Sequence, residues 1–472
     1  MPVFSPTQLA VWSRGRWTAP PAAPVTGFSH DTRTLQPGQL FVALKTGRRD
    51  GHGFLLAAQM AGAAGAVVSR IDRALTLPQL VVEDSLAAFQ TIAGHHRQTF
   101  RGPVIGISGS VGKTSTKDLL ARLLGGAGQG AGGGPVLATE GNLNNHLGVP
   151  LTLMRLDSGW HKFAVIEAGV SAPGEMAPLA HMIEPDLALV TLVAPAHLLG
   201  FRDLKGVARE KAALLAAVRP AGLALFPRPC AQFPAFRSLR CRTLVVEPGA
   251  GAAPGAASPD TLVFAVSSPG DDTFLTLFAG SEPPLTFKLR RVSAGMAQNA
   301  VLALCAARHL GVPPATLQER LATWQPARWR GELRRKDGRL VYLDCYNASP
   351  VSMADALDHF AAVAPPGLPR AYVLGCMEEL GPRAADFHQE LGRQLRLRPQ
   401  DRLFVIGDHA AALCEGLRAA GSATGLVEIV DDLAPVAAFL AGFRGAVFLK
   451  GSRRYQLEKA LPGSAPEESA PC

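Results

Sequence analysis

The stretch Gly109-Ser110-Val111-Gly112-Lys113-Thr114 constrains this chain more than any other. It follows Val104-Ile105-Gly106-Ile107-Ser108, an apolar run of buried-strand length, and it opens Lys113 to Leu124, whose spacing predicts a helix. A glycine-rich turn between a strand and a helix aims backbone N–H groups and a helix N-terminus at one place, which suits phosphate oxygens. Lys113 can then reach the β- and γ-phosphates of a nucleotide, and the Thr114 hydroxyl can ligate Mg²⁺. We expect Ser108 to Ser115 to hold ATP. The longer form of the motif has glycine at position 107, where this chain has Ile107, so the match is to the shorter G-x-x-G-K-T. A kinase, a GTPase and a ligase all use such a loop. No Asn-Lys-x-Asp segment occurs, which argues against guanine reading.

A chain of 472 residues exceeds one ordinary core, so two or three domains are expected. Residues 1–100 read as a small α/β unit, with strand patterns at Leu40–Leu44 and Gly65–Val68 around a helical stretch from Phe54 to Ala64. Residues 101–325 form a central unit with further strands at Phe163–Ile166 and Leu187–Val193. Residues 326–461 carry evenly spaced strands at Leu340–Leu343, Ala371–Leu374, Leu403–Ile406 and Ala446–Leu449. Strands alternating with helices predict an α/β fold of three domains, the central one a doubly wound, mostly parallel sheet and the last Rossmann-like. The low-complexity pieces 125–134 and 248–257 read as flexible loops, and 462–472 as a disordered tail.

Nothing in the sequence is apolar for long enough to span a bilayer, and Met1 to Trp17 lacks the apolar core of a signal peptide. Seven cysteines stand singly with no Cys-x-x-Cys pair, which predicts a reducing cytoplasmic setting and no zinc site. The formal charge of +9 is spread along the chain rather than gathered in a tract. It predicts attraction of anionic small substrates rather than a nucleic-acid partner, and we expect a monomer without membrane insertion.

Open α/β sheets keep ligands beyond the carboxyl ends of their strands. Glu167 ends one such strand, His197 follows the strand that ends at Val193, and Asp344 ends Leu340–Leu343. A nucleotide-bound Mg²⁺ takes one or two protein carboxylates, and Glu167 is the candidate in the unit that carries the loop. Lys211 is unusual in another way. The run from Leu204 to Leu215 has an apolar stripe of Leu204, Val207, Ala208, Leu214 and Leu215, and Lys211 falls on it. An inward lysine is costly unless it is paired or neutral, and a neutral one is a nucleophile.

With these residues in view the chain resembles the Mur ligases over nearly its whole length. Asp31-Thr32-Arg33 and Asp50-Gly51-His52 look like that family's UDP-sugar signatures. Gly141-Asn142-Leu143-Asn144-Asn145-His146-Leu147-Gly148-Val149-Pro150-Leu151-Thr152 resembles its G-N-x-N-N-x-x-G-V-P-L-T. Glu167-Ala168-Gly169, Pro173-Gly174-Glu175, Ala196-His197, Asp344-Cys345-Tyr346-Asn347-Ala348-Ser349-Pro350, Leu374-Gly375-Cys376-Met377-Glu378-Glu379-Leu380-Gly381 and Lys450-Gly451-Ser452-Arg453 follow in order. Asn144-Asn145 and the Tyr-Asn-Ala segment favour the branch that adds a dipeptide over those that add one amino acid. The resemblance implies transfer of phosphate from ATP to UDP-MurNAc-tripeptide, then attack by D-alanyl-D-alanine. It implies Lys113, Lys211 and His197 as catalytic residues, with Lys211 carrying a CO₂-derived carbamate. Thr114, Glu167, His197 and Lys211 would hold two Mg²⁺ ions. Asn299, Arg330, Asp344 and Asn347 would touch the nucleotide, and Thr32, Arg33, Asp50, Gly51, His52, Asn144 and Asn145 the UDP-precursor.

Some positions depart from the family. Leu192 stands for an asparagine, and Ser293–Asn299 lacks the histidine of the G-x-H-N run. Ser349 and Cys376 replace an asparagine and an acidic residue, and Arg330-Gly331 inverts a Gly-Arg, leaving Arg328 or Arg330 as the cation. These changes cluster at the adenine and ribose end. Two other readings stay open: a catalytically weak relative that binds the precursor, and a ligase of this type with a different amine.

Overall fold

The computed structural model describes residues 2–462 apart from 48, 127–133, 250–257, 281, 337 and 423–425. The stretches 125–134 and 248–257 and the tail after 461 fall mostly outside the described residues. The described strands form three sheets. The first contains β1 (Arg16–Trp17), β2 (Gly27–Ser29), β3 (Gln39–Val42), β4 (Gly65–Val68) and β5 (Gln79–Val81) in the order β1-β5-β4-β3-β2. Only β1 runs antiparallel to its neighbour.

The central sheet has β6 (Val104–Ser108), β7 (Val136–Ala138), β8 (Phe163–Glu167), β9 (Leu187–Val190), β10 (Leu223–Pro227), β11 (Arg242–Pro248), β12 (Thr261–Ser267), β13 (Asp272–Phe278) and β14 (Leu285–Arg290). Its order is β14-β13-β12-β11-β10-β9-β6-β8-β7, parallel as far as β12 and antiparallel beyond. All five residues of β6 are buried, because the strand feeds two cores at once. Val104 joins one face while Ile105 and Ile107 join the other. A parallel strand covered on both faces reads as an unbroken apolar run, which is why β6 is legible in the sequence. The hairpin β13–β14 is not legible in that way. Burial alternates along β13, with Thr273, Leu275 and Leu277 inside, as expected of an antiparallel strand with one solvated face. The expectation of continuous apolar runs passes over it.

The chain leaves β6 for the edge strand β7, comes back to β8 beside β6, and crosses to β9 on its other side, so the carboxyl end of β6 is where the strand order reverses. Ligands of open α/β sheets bind at that point. The third sheet, β15 (Glu332–Lys336), β16 (Arg339–Asp344), β17 (Arg370–Gly375), β18 (Arg402–Ile406), β19 (Val427–Val430) and β20 (Ala446–Lys450), has the order β15-β16-β20-β17-β18-β19. It has its own cores on its two faces.

The N-terminal and central units share one. A single cluster runs from Phe4, Phe89 and Ile92 to Val149, Met176 and Leu214. Arg97, fully buried at the end of the helix Ser85–Thr99, fastens this seam. Its Nε donates to Ile183 O at 2.7 Å, and Nη2 donates to Glu184 O at 2.7 Å and to Asp186 Oδ2 at 3.1 Å. It thereby satisfies carbonyls at the C-terminus of the helix Met176–Ile183, where a cation is favoured. Arg97→Ala would leave these groups buried without their partner, and a loss of about 3–5 kcal/mol is expected. Thermal and urea unfolding of the variant measure it. No helix among the described residues is long and apolar enough to cross a membrane.

Candidate active site

Two glycines shape the loop after β6. Gly109 has φ 148°, and a Cβ there would collide with Thr191 Oγ1. Gly112 has φ 83°, and a Cβ there would collide with Asn299 Nδ2. The loop is drawn tightly against β9 and the helix Ala294–His309, and glycine allows both the backbone conformation and the close approach. Ser110 N donates to Leu192 O at 2.8 Å, and Ser110 Oγ donates to Ala194 O at 2.8 Å. The Thr191 hydroxyl bonds Val111 O. Gly112 is the N-cap of the helix Lys113–Leu123, with no side chain occupying the cap, so the helix N-terminus is left to an anion. Gly112→Ala should cost about 1–3 kcal/mol at this loop through backbone strain and the clash. Titration calorimetry with ADP is expected to show affinity weakened by tenfold or more.

A cavity of about 1060 Å³ opens on the loop, between the central and C-terminal units. Ser110 to Ser115 line it together with Asn144, Asn145, Glu167, His197, Asn299, Arg330, Asp344 and Asn347, so fold contacts gather residues spread over more than 200 positions. Glu167 ends β8 beside the loop and is 1% exposed. Its Oε1 accepts from Asn144 Nδ2 at 2.7 Å, whereas Oε2 is buried without a partner among the described residues. A buried carboxylate oxygen left open is costly unless a cation or donor completes it. Thr114 stands on the same cavity.

The lysines are set for chemistry by burial. Lys113 Nζ donates to Gly109 O at 2.9 Å, and desolvation lowers its pKa, with Glu167 opposing the shift and Arg330 adding to it. Lys211 lies on the buried face of the helix Leu204–Ala216 at 2% exposure, as its place on the apolar stripe predicts. Desolvation, then repulsion by Lys113, takes its pKa well below the lysine range against the pull of Glu210 and Cys230. Its ammonium makes no hydrogen bond or ion pair among the described residues. His197 lies close to both lysines. Burial lowers its pKa first, Glu379 opposes, and Lys113 and Lys211 each lower it further.

In the C-terminal unit β16 and β20 run side by side in register, which brings Asp344 and Lys450 together. Lys450 Nζ donates to Asp344 Oδ2 at 2.6 Å and to Asn347 O at 3.2 Å. Arg330 lies over the Tyr346 ring at 3.8 Å. Gly295 is within the stretch that lacks the family's histidine, and a Cβ there would stand 2.7 Å from Asp355 Oδ2. Asp355 Oδ1 instead accepts from Gly295 N at 2.8 Å, across the two units.

Several expected residues are elsewhere. The Ser108 hydroxyl is fully buried and donates to Ala168 O at 2.9 Å, and neither Ser108 nor Gly109 nor Lys211 lines the cavity. Thr32, Arg33, Asp50, Gly51 and His52 are also absent from its walls. Arg33 Nε donates to Asp31 Oδ1 at 2.9 Å within its own turn. His52 pairs through Nδ1 with Asp50 Oδ1 at 2.6 Å and accepts from Ser69 N at 3.0 Å, so both ring nitrogens are engaged in the fold. Asn145 Oδ1 accepts from Leu147 N and Gly148 N and so caps a turn. Conversely, Thr191 and Asp355 line the cavity without having been named from the sequence, and Glu379 and Lys450 line it although they appear there only within motifs, without a role. Lys450 was reachable, since it ends an apolar run as Asp344 does. Asp355 and Thr191 had no local signal.

The chain matches the family models described as "Mur ligase middle domain" over residues 107–307 and "Mur ligase, glutamate ligase domain" over residues 329–453. The UDP-N-acetylmuramoyl-tripeptide–D-alanyl-D-alanine ligase of Synechocystis sp. is 35% identical over 387 residues, 80% of this chain and 78% of that one. The enzyme so named from Escherichia coli is 33% identical over 393 residues, 82% and 83% of the two chains. Among solved structures, MurF from Acinetobacter baumannii superposes with a TM-score of 0.83 over 98% of each chain at 26% identity. MurF ligase from Thermotoga maritima in complex with ADP does so with a TM-score of 0.76 over 92% and 96%, at 26% identity.

Proposed function

This chain belongs to the Mur ligase family, in its D-alanyl-D-alanine-adding branch, and from that premise we propose how its own residues carry the reaction. It is an ATP-dependent ligase that joins D-alanyl-D-alanine to UDP-N-acetylmuramoyl-tripeptide in peptidoglycan synthesis. One observation carries the mechanism: the phosphate-binding loop with Lys113 and a buried carboxylate with an open oxygen face one cavity, and buried Lys211 lies behind them, near enough to feel the charge of Lys113.

The terminal carboxylate of the tripeptide attacks the γ-phosphorus, the bond from that phosphorus to the β,γ-bridging oxygen breaks, and ADP leaves. The dipeptide amine then attacks the acyl carbon, the carbon–oxygen bond to phosphate breaks, and the new amide nitrogen gives up a proton. Charge shifts over the phosphate oxygens in the first step, and the catalysis is positioning and charge stabilisation. Lys113 and the N-terminus of Lys113–Leu123 meet that charge.

The residues present suit Mg²⁺. Glu167 offers one free oxygen and Thr114 a hydroxyl, a small donor set of the kind that binds Mg²⁺ together with substrate phosphates and water. A bound ion would draw charge from the transferring phosphate. Asn144 holds the other Glu167 oxygen and so orients the carboxylate. Lys211, whose proton burial makes easier to lose, can as the free amine add CO₂ to give a carbamate and a proton, which would turn it into an anionic ligand that a second ion, with His197, would share. Asn299, packed against the loop at Gly112, binds the nucleotide from the near wall, and Arg330, Asp344 and Asn347 bind it from the C-terminal unit. Residues 1–100 hold the UDP end, 101–325 ATP, and 326–461 close over both. The protein works as a monomer in the cytoplasm.

The test is incubation with UDP-MurNAc-tripeptide, ATP and Mg²⁺, with and without D-alanyl-D-alanine. ADP release only when the dipeptide is present is expected. Release driven instead by a single amino acid, or none with any amine, overturns the assignment.

A further inference from the structure

The contact between the His197 and Glu379 turns is not explained by phosphate binding. His197 (φ 52°), Glu379 (φ 62°) and Gly381 (φ 66°) all adopt the left-handed conformation, which non-glycine residues hold only where their surroundings impose it. The three meet at one seam. His197 Nδ1 bonds Glu379 Oε2, and Leu199 N donates to Glu379 O at 3.3 Å. A Cβ on Gly381 would stand 3.3 Å from Leu199 N, so the turns close on each other there without a side chain between them. His197 begins the short helix Leu198–Phe201 of the central unit, and Glu379 lies in the turn after β17 of the C-terminal unit. One residue thus holds both the side chain and the backbone of the turn opposite.

An exposed histidine–carboxylate pair alone adds under about 1 kcal/mol. The added backbone bond and the facing left-handed residues ask for more than a surface pair needs. A histidine whose Nδ1–H is held by a carboxylate has a set tautomer and ring orientation and offers Nε2 as its lone pair. His197 lines the cavity.

We propose that Glu379 is a positioning residue that couples domain closure to the catalytic cavity. Seating of the C-terminal unit on the 198–201 turn brings its carboxylate to His197 Nδ1 and turns Nε2 toward the cavity, and parting of the units releases the ring. The kinetic consequence rests on the ligase reading, whereas the coupling itself does not.

The experiment compares wild type with Glu379→Ala and Glu379→Gln at one pH. Long-range ¹⁵N NMR reads the His197 tautomer, assigned by loss of its signals in His197→Ala. Small-angle scattering reads the separation of the units, and steady-state assays read kcat and KM for ATP. Glu379→Ala is expected to lose the Nδ1–H tautomer, to enlarge the ligand-free particle, and to lower kcat about 10–100-fold with KM changed less than threefold. Glu379→Gln keeps an acceptor oxygen and should retain the tautomer and most of the rate, which separates positioning from misfolding. An unchanged tautomer or unchanged kcat in Glu379→Ala overturns the proposal. If wild type releases no ADP, the ligase reading fails while the NMR and scattering still decide the coupling.

Discussion

Lys211→Met is expected to lower kcat by about a thousandfold or more while making the folded protein harder to unfold. The first effect follows from removing the group that can become an anionic ligand beside Lys113. Losing one preorganised charge contact to a developing transition state costs about 10²–10³ in rate, and Lys211 would also hold an ion. The second follows from burial. Lys211 sits at 2% exposure on an apolar face with its pKa far below the unfolded value. Between the lowered folded pKa and the ordinary value of 10.5, the unfolded chain binds more protons than the folded one. Stability therefore rises with pH across that window, and at neutral pH the wild type bears a cost that methionine does not. In CO₂-depleted buffer the variant should melt higher, and the difference should shrink as pH rises toward 10.5. ¹³C NMR of protein equilibrated with ¹³C-bicarbonate should show a carbamate signal that Lys211→Met lacks. A variant that kept full activity, or a carbamate signal that survived in it, would remove Lys211 from the mechanism.

Lys113→Ala should be comparably severe but different in kind. Here the expected result is loss of turnover by about 10³ with no gain in stability. Lys113 Nζ donates to Gly109 O, so its side chain folds over the loop that it serves. Its charge acts where phosphate charge develops, in a partly enclosed site where electrostatic effects exceed those in water. ADP, which lacks the transferring group, should lose far less affinity than turnover loses. Calorimetry with ADP beside ATP-turnover assays separates the two. Equal losses in both would mean that Lys113 binds ground and transition states alike. Lys113→Arg should not restore the rate, because a planar guanidinium does not substitute for a compact ammonium in a tight loop.

The residues differ in how far they could be read without the fold. Strand β6, the loop and the helix after it are local. Their signals are an apolar run, glycines where the backbone needs them, and a 3.6-residue spacing, each decided by neighbours in the chain. Lys211 was legible in part for the same reason, since it falls on the stripe from Leu204 to Leu215, but the stripe left open a course that snorkels to the surface, and the burial of the side chain decided it. Glu167 was visible as a strand end. Its open Oε2 was not, because that depends on Asn144, which is 23 residues away in the chain. The hairpin β13–β14 escaped because alternation with one wet face makes a weak signal.

What the order of residues alone determined is therefore the chemistry of single elements: a phosphate loop, a misplaced lysine and carboxylates at strand ends. What the tertiary structure alone decided is their company. Strand order places β8 and β9 on either side of β6, the register of β16 with β20 pairs Asp344 with Lys450, and the meeting of two units gives His197 its partner in Glu379. It also engages side chains that looked open in the sequence, such as the Ser108 hydroxyl and the His52 ring, in bonds within the fold. The reason is that buried polar groups must find partners, and which partner is near enough depends on packing across the whole chain rather than on spacing along it.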